Sequence, residues 1–288
     1  IVGDFAPMDF YDTEGHLFHR TDELGNLITD PDKPGARDDT LNDSAGNDHI
    51  IAGDGDDTIR ATRGGDDSIE AGAGDDYVLL ADGNTRVQAG AGSDVVDARG
   101  GNDRLEGGDG ADILDGDAGD DSIFADAAAT LDAALLLNKT QPGSGEKGDW
   151  LDGGDGRDLA VGGGGNDVLA GGGGSDTLIG GGGADLLLGD ISRDVVYRDW
   201  SVAREVSVQG NVTYYNYRIS QAWYTASASG DGDALYGGGG DDWIMGGIGD
   251  DFADGGADND VIFGEEGNDT LLGGAGNDDI TGDNAGIP

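Results

Sequence analysis

The sequence predicts an all-β solenoid in which short strands alternate with tight turns, and three observations carry that reading. The chain of 288 residues repeats every nine residues over most of its length, glycine is its commonest turn residue with 59 copies, and an aspartate recurs two places before an aliphatic side chain. Written as G-G-x-G-x-D-x-U-x, with U a large aliphatic, the stretch 153–188 holds four unbroken rows: GGDGRDLAV, GGGGNDVLA, GGGGSDTLI and GGGGADLLL. Nine residues are too few for a helical hairpin, and the glycine content is too high for a coiled coil. Each row is therefore one strand and one turn, and two rows make one coil. The strand x-U-x turns its aliphatic inward and its neighbours outward. Glycines supply the positive φ of the turn.

The sixth position of the row holds Asp39, Asp48, Asp57, Asp67, Asp76, Asp94, Asp103, Asp112 and Asp121 in a first array. Asp149, Asp158, Asp167, Asp176 and Asp185 hold it in a second, and Asp233, Asp242, Asp251, Asp260, Asp269 and Asp278 in a third. Thr85 alone departs from aspartate, in a row that also lacks its leading glycines. Two residues later the chain is apolar throughout, from Leu41 and Ile50 to Leu271 and Ile280. The step from Ile59 to Ile69 is ten residues rather than nine, which predicts a bulge near Ala61.

One buried Leu, Ile or Val contributes roughly 1.5 to 3 kcal/mol, against about 1 to 2 kcal/mol of backbone entropy for every ordered residue. An aliphatic ladder with one rung per row cannot hold such a fold alone. The turns place a carboxylate and several free carbonyl oxygens at each edge, which suits a hard cation taking six to eight oxygen ligands. Calcium is the natural candidate.

At these residues the chain resembles the RTX (repeats-in-toxin) proteins, whose hemolysin-type nonapeptide matches the rows position by position over about two thirds of the chain. The resemblance implies a right-handed parallel β-roll with calcium between turns, roughly one ion per row, held by sixth-position carboxylates and loop carbonyls. The implied pairs are Asp149 with Asp167 and Asp185, Asp158 with Asp176, Asp233 with Asp251 and Asp269, and Asp242 with Asp260 and Asp278. The first array adds Asp76 with Asp94 and Asp112, and Asp103 with Asp121. Sites involving Thr85 are expected to be weak or empty.

Three insertions interrupt the arrays, dividing the chain into a row end plus first insertion (1–37), array one (38–124), a helical insertion (125–147), array two (148–189), an aromatic hairpin (190–230) and array three (231–288). The first contains His16 and His19 with carboxylates nearby, read here as solvated, because the spacing on a hairpin puts the imidazoles on opposite faces. The second, DAAATLDAALLLNKT, predicts a short helix with Asp126 as its N-cap and with Leu131, Ala134 and Leu135 on one face, covering an edge or end of the roll. The third alternates through Val206 and Val208, turns near Gly210 and returns through Val212, a hairpin signature. It carries Tyr197, Trp200, Tyr214, Tyr215, Tyr217, Trp223 and Tyr224 with four arginines, either as a local core or as a surface for a glycan or protein. The row counts between insertions place the aromatic one at the edge opposite the helical one. Both ends of the chain read like row ends, so a segment of a longer array is expected.

With 60 acidic and 15 basic residues the net charge is −45, which by composition alone describes a disordered acidic chain. The acids are phased with the aliphatics, so the expectation is a chain disordered without calcium and folded with it. Nothing basic enough for nucleic acid is present, no apolar run is long enough for a membrane span, and there is no cysteine. The chain lacks H-E-x-x-H, G-x-S-x-G and any nucleophile paired with a base, so an enzyme is not expected in this segment. The leading reading is a structural roll of an extracellular or bacterial cell-surface protein of adhesin, surface-layer or filament type, exported by type I secretion. A glycan-, protein- or self-binding module comes second, and an accessory roll of a secreted enzyme third.

Overall fold

A computed structural model describes residues 10–11, 17–18, 38–43, 45–126, 131–137, 147–209, 212–226 and 230–282, with the backbone alone for 10–11, 17–18, 132, 136–137, 147, 192–206 and 212–226. Each row forms one short strand at x-U-x, often continued into the following glycines. Rows two apart pair in parallel, as Ser68 with Arg86 and Arg86 with Arg104. Consecutive rows alternate between two sheets, one of ten strands from His49–Asp54 to Thr270–Ala275 and one of eleven from Thr40–Asn42 to Asp279–Thr281. The chain is thus a parallel β-solenoid with two rows per coil. Among the described residues no helix is long and apolar enough to cross a membrane.

The tenth residue near Ala61 is not a strand bulge as the spacing suggested. The pairs His49 with Ser68 and Thr58 with Tyr77 are offset by one extra residue, and neither ladder breaks register. The extra residue is absorbed by the turn, where Asp43 Oδ2 accepts the Arg63 amide at 2.7 Å and Gly64 takes a φ of 75°. A turn can lengthen without flipping the strand's faces; a strand cannot.

The inward aliphatics form one continuous core from Ile59 to Ile262, each fully buried. A second inward column lies at the row's first position, two residues beyond U. It is filled in the first coils by Ala52, Ala61, Ala71, Leu80, Ala89 and Ala98, all buried. From Gly107 onward the same position is glycine in every row except that of Ala125. Early coils therefore bury two apolar side chains per row and later coils one.

The outward faces are not uniformly solvated. On the eleven-stranded sheet Ile113, Trp150, Val168, Leu186, Leu188, Trp243 and Val261 form a second buried cluster, with Ile191 packed against it. The third insertion is the antiparallel pair Ile191–Gln209 and Val212–Ala226, registered from Ile191 with Ala226 to Gln209 with Val212. Its first strand lies against Lys147–Gly156 and Asn166–Gly174 of that sheet. The hairpin starts well before Val206, where the alternation first becomes legible, and its tip stays open, with Val208 67% exposed. The aromatic side chains of Tyr197, Trp200, Tyr214, Tyr215, Tyr217, Trp223 and Tyr224 lie outside the described residues.

The helix Leu131–Leu137 packs on Thr177–Gly182 of the other sheet. It buries Ala134 and leaves Leu131 43% exposed, so Leu131 is not on the buried face as expected. The two insertions stand at opposite edges: the chain leaves the ten-stranded sheet at Ser122–Phe124 for the helix, and the eleven-stranded sheet at Leu186–Leu188 for the hairpin. Of the first insertion only the pairing of Phe10–Tyr11 with Leu17–Phe18 is described; His16 and His19 lie outside the described residues.

Candidate metal centres along the two edges

Because coils stack in register, every sixth-position side chain falls into one of two files. Asp39, Asp57, Asp76, Asp94, Asp112, Asp149, Asp167, Asp185, Asp242, Asp260 and Asp278 run along one edge. Asp48, Asp67, Thr85, Asp103, Asp121, Asp158, Asp176, Asp233, Asp251 and Asp269 run along the other. Within each file the backbone amide of one member donates to Oδ1 of the next, as from Asp149 to Asp167 at 2.8 Å and from Asp158 to Asp176 at 2.9 Å. The file is continuous across both insertions: Asp112 donates to Asp149, 37 residues on, and Asp176 to Asp233, 57 residues on. Those partners are invisible to an eighteen-residue spacing. The weak rung is Asp67 to Thr85 Oγ1 at 3.4 Å, where a shorter, neutral side chain replaces the carboxylate.

An outer ladder at the fifth position went unrecognised in the sequence. There the amide of the later coil donates to the earlier side chain, as from Asp75 to Asp56, Asn102 to Asn84 and Asn268 to Asp250, each at 2.7–2.9 Å. The N-D and D-D pairs before each strand were its signal. The two ladders run in opposite senses and knit each turn to both neighbours.

The second carboxylate oxygen is what bears on metal. Oδ2 of Asp57, Asp103, Asp121, Asp158, Asp176, Asp233, Asp251 and Asp260 is buried, and no hydrogen-bond donor reaches it among the described residues. In the rows of Asp121, Asp158, Asp176, Asp233, Asp251 and Asp260 it lies against the first-position glycine, whereas the rows of Asp57 and Asp103 have Ala52 and Ala98 there: a Cβ on Gly153 would stand 2.5 Å from Asp158 Oδ2 and 2.6 Å from the Gly171 carbonyl. A Cβ on Gly162 would meet Asp167 Oδ2 at 2.5 Å and the Gly180 carbonyl at 2.6 Å. Carboxylate and carbonyl oxygens thus converge where no side chain intrudes. Gly172, at φ 101°, shows the same crowding along the stack, since a Cβ there would overlap the Gly154 carbonyl one coil away.

A buried carboxylate oxygen without a donor is costly as an anion. Burial accordingly pushes Asp149 up to about 9, with the Asp167 charge adding to it. Burial likewise raises Asp158 and Asp233 to about 8, against the backbone amides of Asp121 and Asp176 that each accepts from. Asp57, Asp103 and Asp260 rise to about 7, and Asp121, Asp176 and Asp251 to about 6, by the same desolvation. Such groups require a proton or a cation. All the donors are hard oxygens, which fits calcium better than a nitrogen- or sulfur-seeking metal. No three acidic or imidazole side chains converge among the described residues, so any ion here is held largely by backbone carbonyls and one or two carboxylates.

The exits from the roll share a device. Both insertions leave after the second position of a row, at Asp126 and at Asp190, and the row is completed on return by Asp149 and Asp233. Asp126 accepts the Gly164 amide and Asp190 Oδ2 accepts the Ile248 amide, each from the coil that follows. Asp126 thus accepts an amide of the roll, and its expected capping of the helix falls on residues 127–130, outside those described.

No curated protein matches the chain. A family model described as the RTX calcium-binding nonapeptide repeat, four copies to a match, fits residues 35–66, 61–87, 81–114, 88–123, 144–178, 161–196, 225–253 and 254–285. The three stretches these matches cover, more than half of the chain, are the stretches that build the coils and carry the two aspartate files, and on that ground the chain belongs to the RTX calcium-binding nonapeptide repeat family.

Proposed function

We propose that this chain is a calcium-rigidified structural segment of a secreted or cell-surface protein of adhesin, surface-layer or filament type, folding when it meets calcium outside the cell. The aspartates of the two files, from Asp39 to Asp278, are its ligands, at roughly one ion per row. The observation that carries this reading is the set of buried carboxylate oxygens that lack donors among the described residues and, at Asp121, Asp158, Asp176, Asp233 and Asp251, lie beside a carbonyl oxygen at a first-position glycine. Calcium would neutralise them, and about twenty ions would bring about +40 against a formal charge of −45. Binding and folding are then one event, since the repelling unfolded chain has no preformed site. The test is circular dichroism against calcium concentration. Strand signal that appears with calcium supports the proposal, and strand content unchanged by chelation sinks it.

A second reading, recognition of a glycan or protein through the aromatic hairpin, draws on its exposed tip at Ser207, Val208 and Gln209. The apolar cluster beneath its base gives that part of the ribbon a covering role, so recognition would belong to the distal part. Glycan-array binding lost on trimming the hairpin would favour it. An accessory roll of a secreted enzyme is the third reading, which the sequence flanking this segment decides.

A further inference from the structure

Asp190 is not a sixth-position residue, yet it is only 5% exposed. Its Oδ2 accepts the Ile248 amide, while its Oδ1 is buried and without a hydrogen-bond partner among the described residues. The carboxylate lies against Gly230, the residue at which the hairpin returns to the roll. A Cβ on Gly230 would collide with it, and all three of the nearest atoms there belong to Asp190. It also overhangs Gly247 of the next coil, the register partner of Glu265. Glu265 occupies the second position of its row at φ 72°, where rows ordinarily place glycine, so an acidic side chain is held on the same edge at a backbone cost.

Charge surrounds the group without neutralising it. Asp231 acts on Asp190 by like-charge repulsion, as does Asp190 on Glu265, Asp176, Asp233 and Asp251. No lysine or arginine of the described residues pairs with it. A carboxylate so placed holds either a proton or a cation.

We propose that Asp190 is a calcium ligand in the interrupted turn formed by Gly189, Asp190 and Gly230 to Asp233, and that this ion clamps both ends of the hairpin to the roll. The proposal rests on the calcium reading of the turns and adds a ligand outside the repeat. It gives the second position of the row a role where the chain departs: a carboxylate joins the carbonyl oxygens of the turn that Gly230 to Asp233 complete. The corresponding Asp126 at the helical insertion is exposed, so the site is particular to the hairpin.

The test is Asp190→Asn in the full chain, with calcium counted by native mass spectrometry and amide exchange followed at Ile191 and Ala226. The asparagine keeps an acceptor for Ile248 and mimics a protonated carboxyl. The expected result is one ion fewer per chain and faster exchange at the hairpin base, with Asp126→Asn keeping the full count. An unchanged count for Asp190→Asn alongside a calcium-loaded unaltered protein overturns this proposal and leaves the general reading intact. An unaltered protein that binds no calcium overturns both. If Asp190→Asn fails to fold in calcium, Asp190→Ser, whose hydroxyl can still accept the Ile248 amide, carries the same count, and a full complement of ions there refutes the clamp.

Discussion

Removing calcium and then lowering the pH should refold the roll, because in the metal-free chain protons take the place of the ions. Asp57, Asp103, Asp121, Asp149, Asp158, Asp176, Asp233, Asp251 and Asp260 have folded pKa values raised above the unfolded value near 3.8, so at these groups the native state binds protons more tightly than the unfolded state does. Their stabilising contribution is complete below about pH 4 and is lost as the pH climbs through the folded values. Asp176, raised from 3.8 to about 6 by burial, costs the metal-free fold about 3 kcal/mol at pH 7.5, at about 1.4 kcal/mol per unit. Asp149, raised to about 9, is still protonated in the fold at that pH and costs about 5 kcal/mol. A domain's whole stability is about 5 to 15 kcal/mol, so two or three such groups suffice to unfold it. The assay is far-UV circular dichroism in excess chelator from pH 7.5 down to pH 4.5, at micromolar concentration. Light scattering should be recorded in parallel, since the isoelectric point of about 4.1 favours association at the acid end. Strand signal should rise as the pH falls. A metal-free chain that is equally unfolded at both ends of the range, or equally folded, would refute the reasoning.

Gly162→Ala puts a methyl group 2.5 Å from Asp167 Oδ2 and 2.6 Å from the Gly180 carbonyl, and should cost about 1 to 3 kcal/mol in calcium and weaken calcium binding; denaturant titration at fixed calcium checks it. Thr85→Asp restores the missing carboxylate in its file and should raise the calcium count per chain, which equilibrium dialysis reads; no gain would count against the file as the ligand set. Graded chelation followed by hydrogen exchange should open the glycine-lined coils of 153–188 and 237–281 before those of 49–98, where Ala52 to Ala98 add a second buried column. Simultaneous opening would show that the extra apolar column does not matter.

The row period, the inward aliphatics and the phased aspartates were all legible in the sequence, because a repeating chain meets the same neighbour at a constant offset. From that offset follow the parallel pairing, the two sheets and the opposite edges at which the helical and hairpin insertions depart. Asp158 could be named a candidate ligand from its position in the row alone. What the sequence left open is whatever depends on the offset being broken or on a second coil's backbone. Asp112 meets Asp149, and Asp176 meets Asp233, only because the insertions loop out and leave the register intact. The buried cluster of Trp150, Leu186 and Trp243 occupies outward positions of one sheet, and the hairpin strand that lies against the Trp150 part of that face follows a path the row pattern does not encode. The row pattern gave Asp190 no role and Asp126 only a helix cap; stacking puts their carboxylates beside the amides of the following coil. A one-dimensional repeat determines local conformation and nearest-coil contact. Burial of a particular carboxylate oxygen is set by atoms of other coils and by whatever covers the face, and only the tertiary structure assembles those.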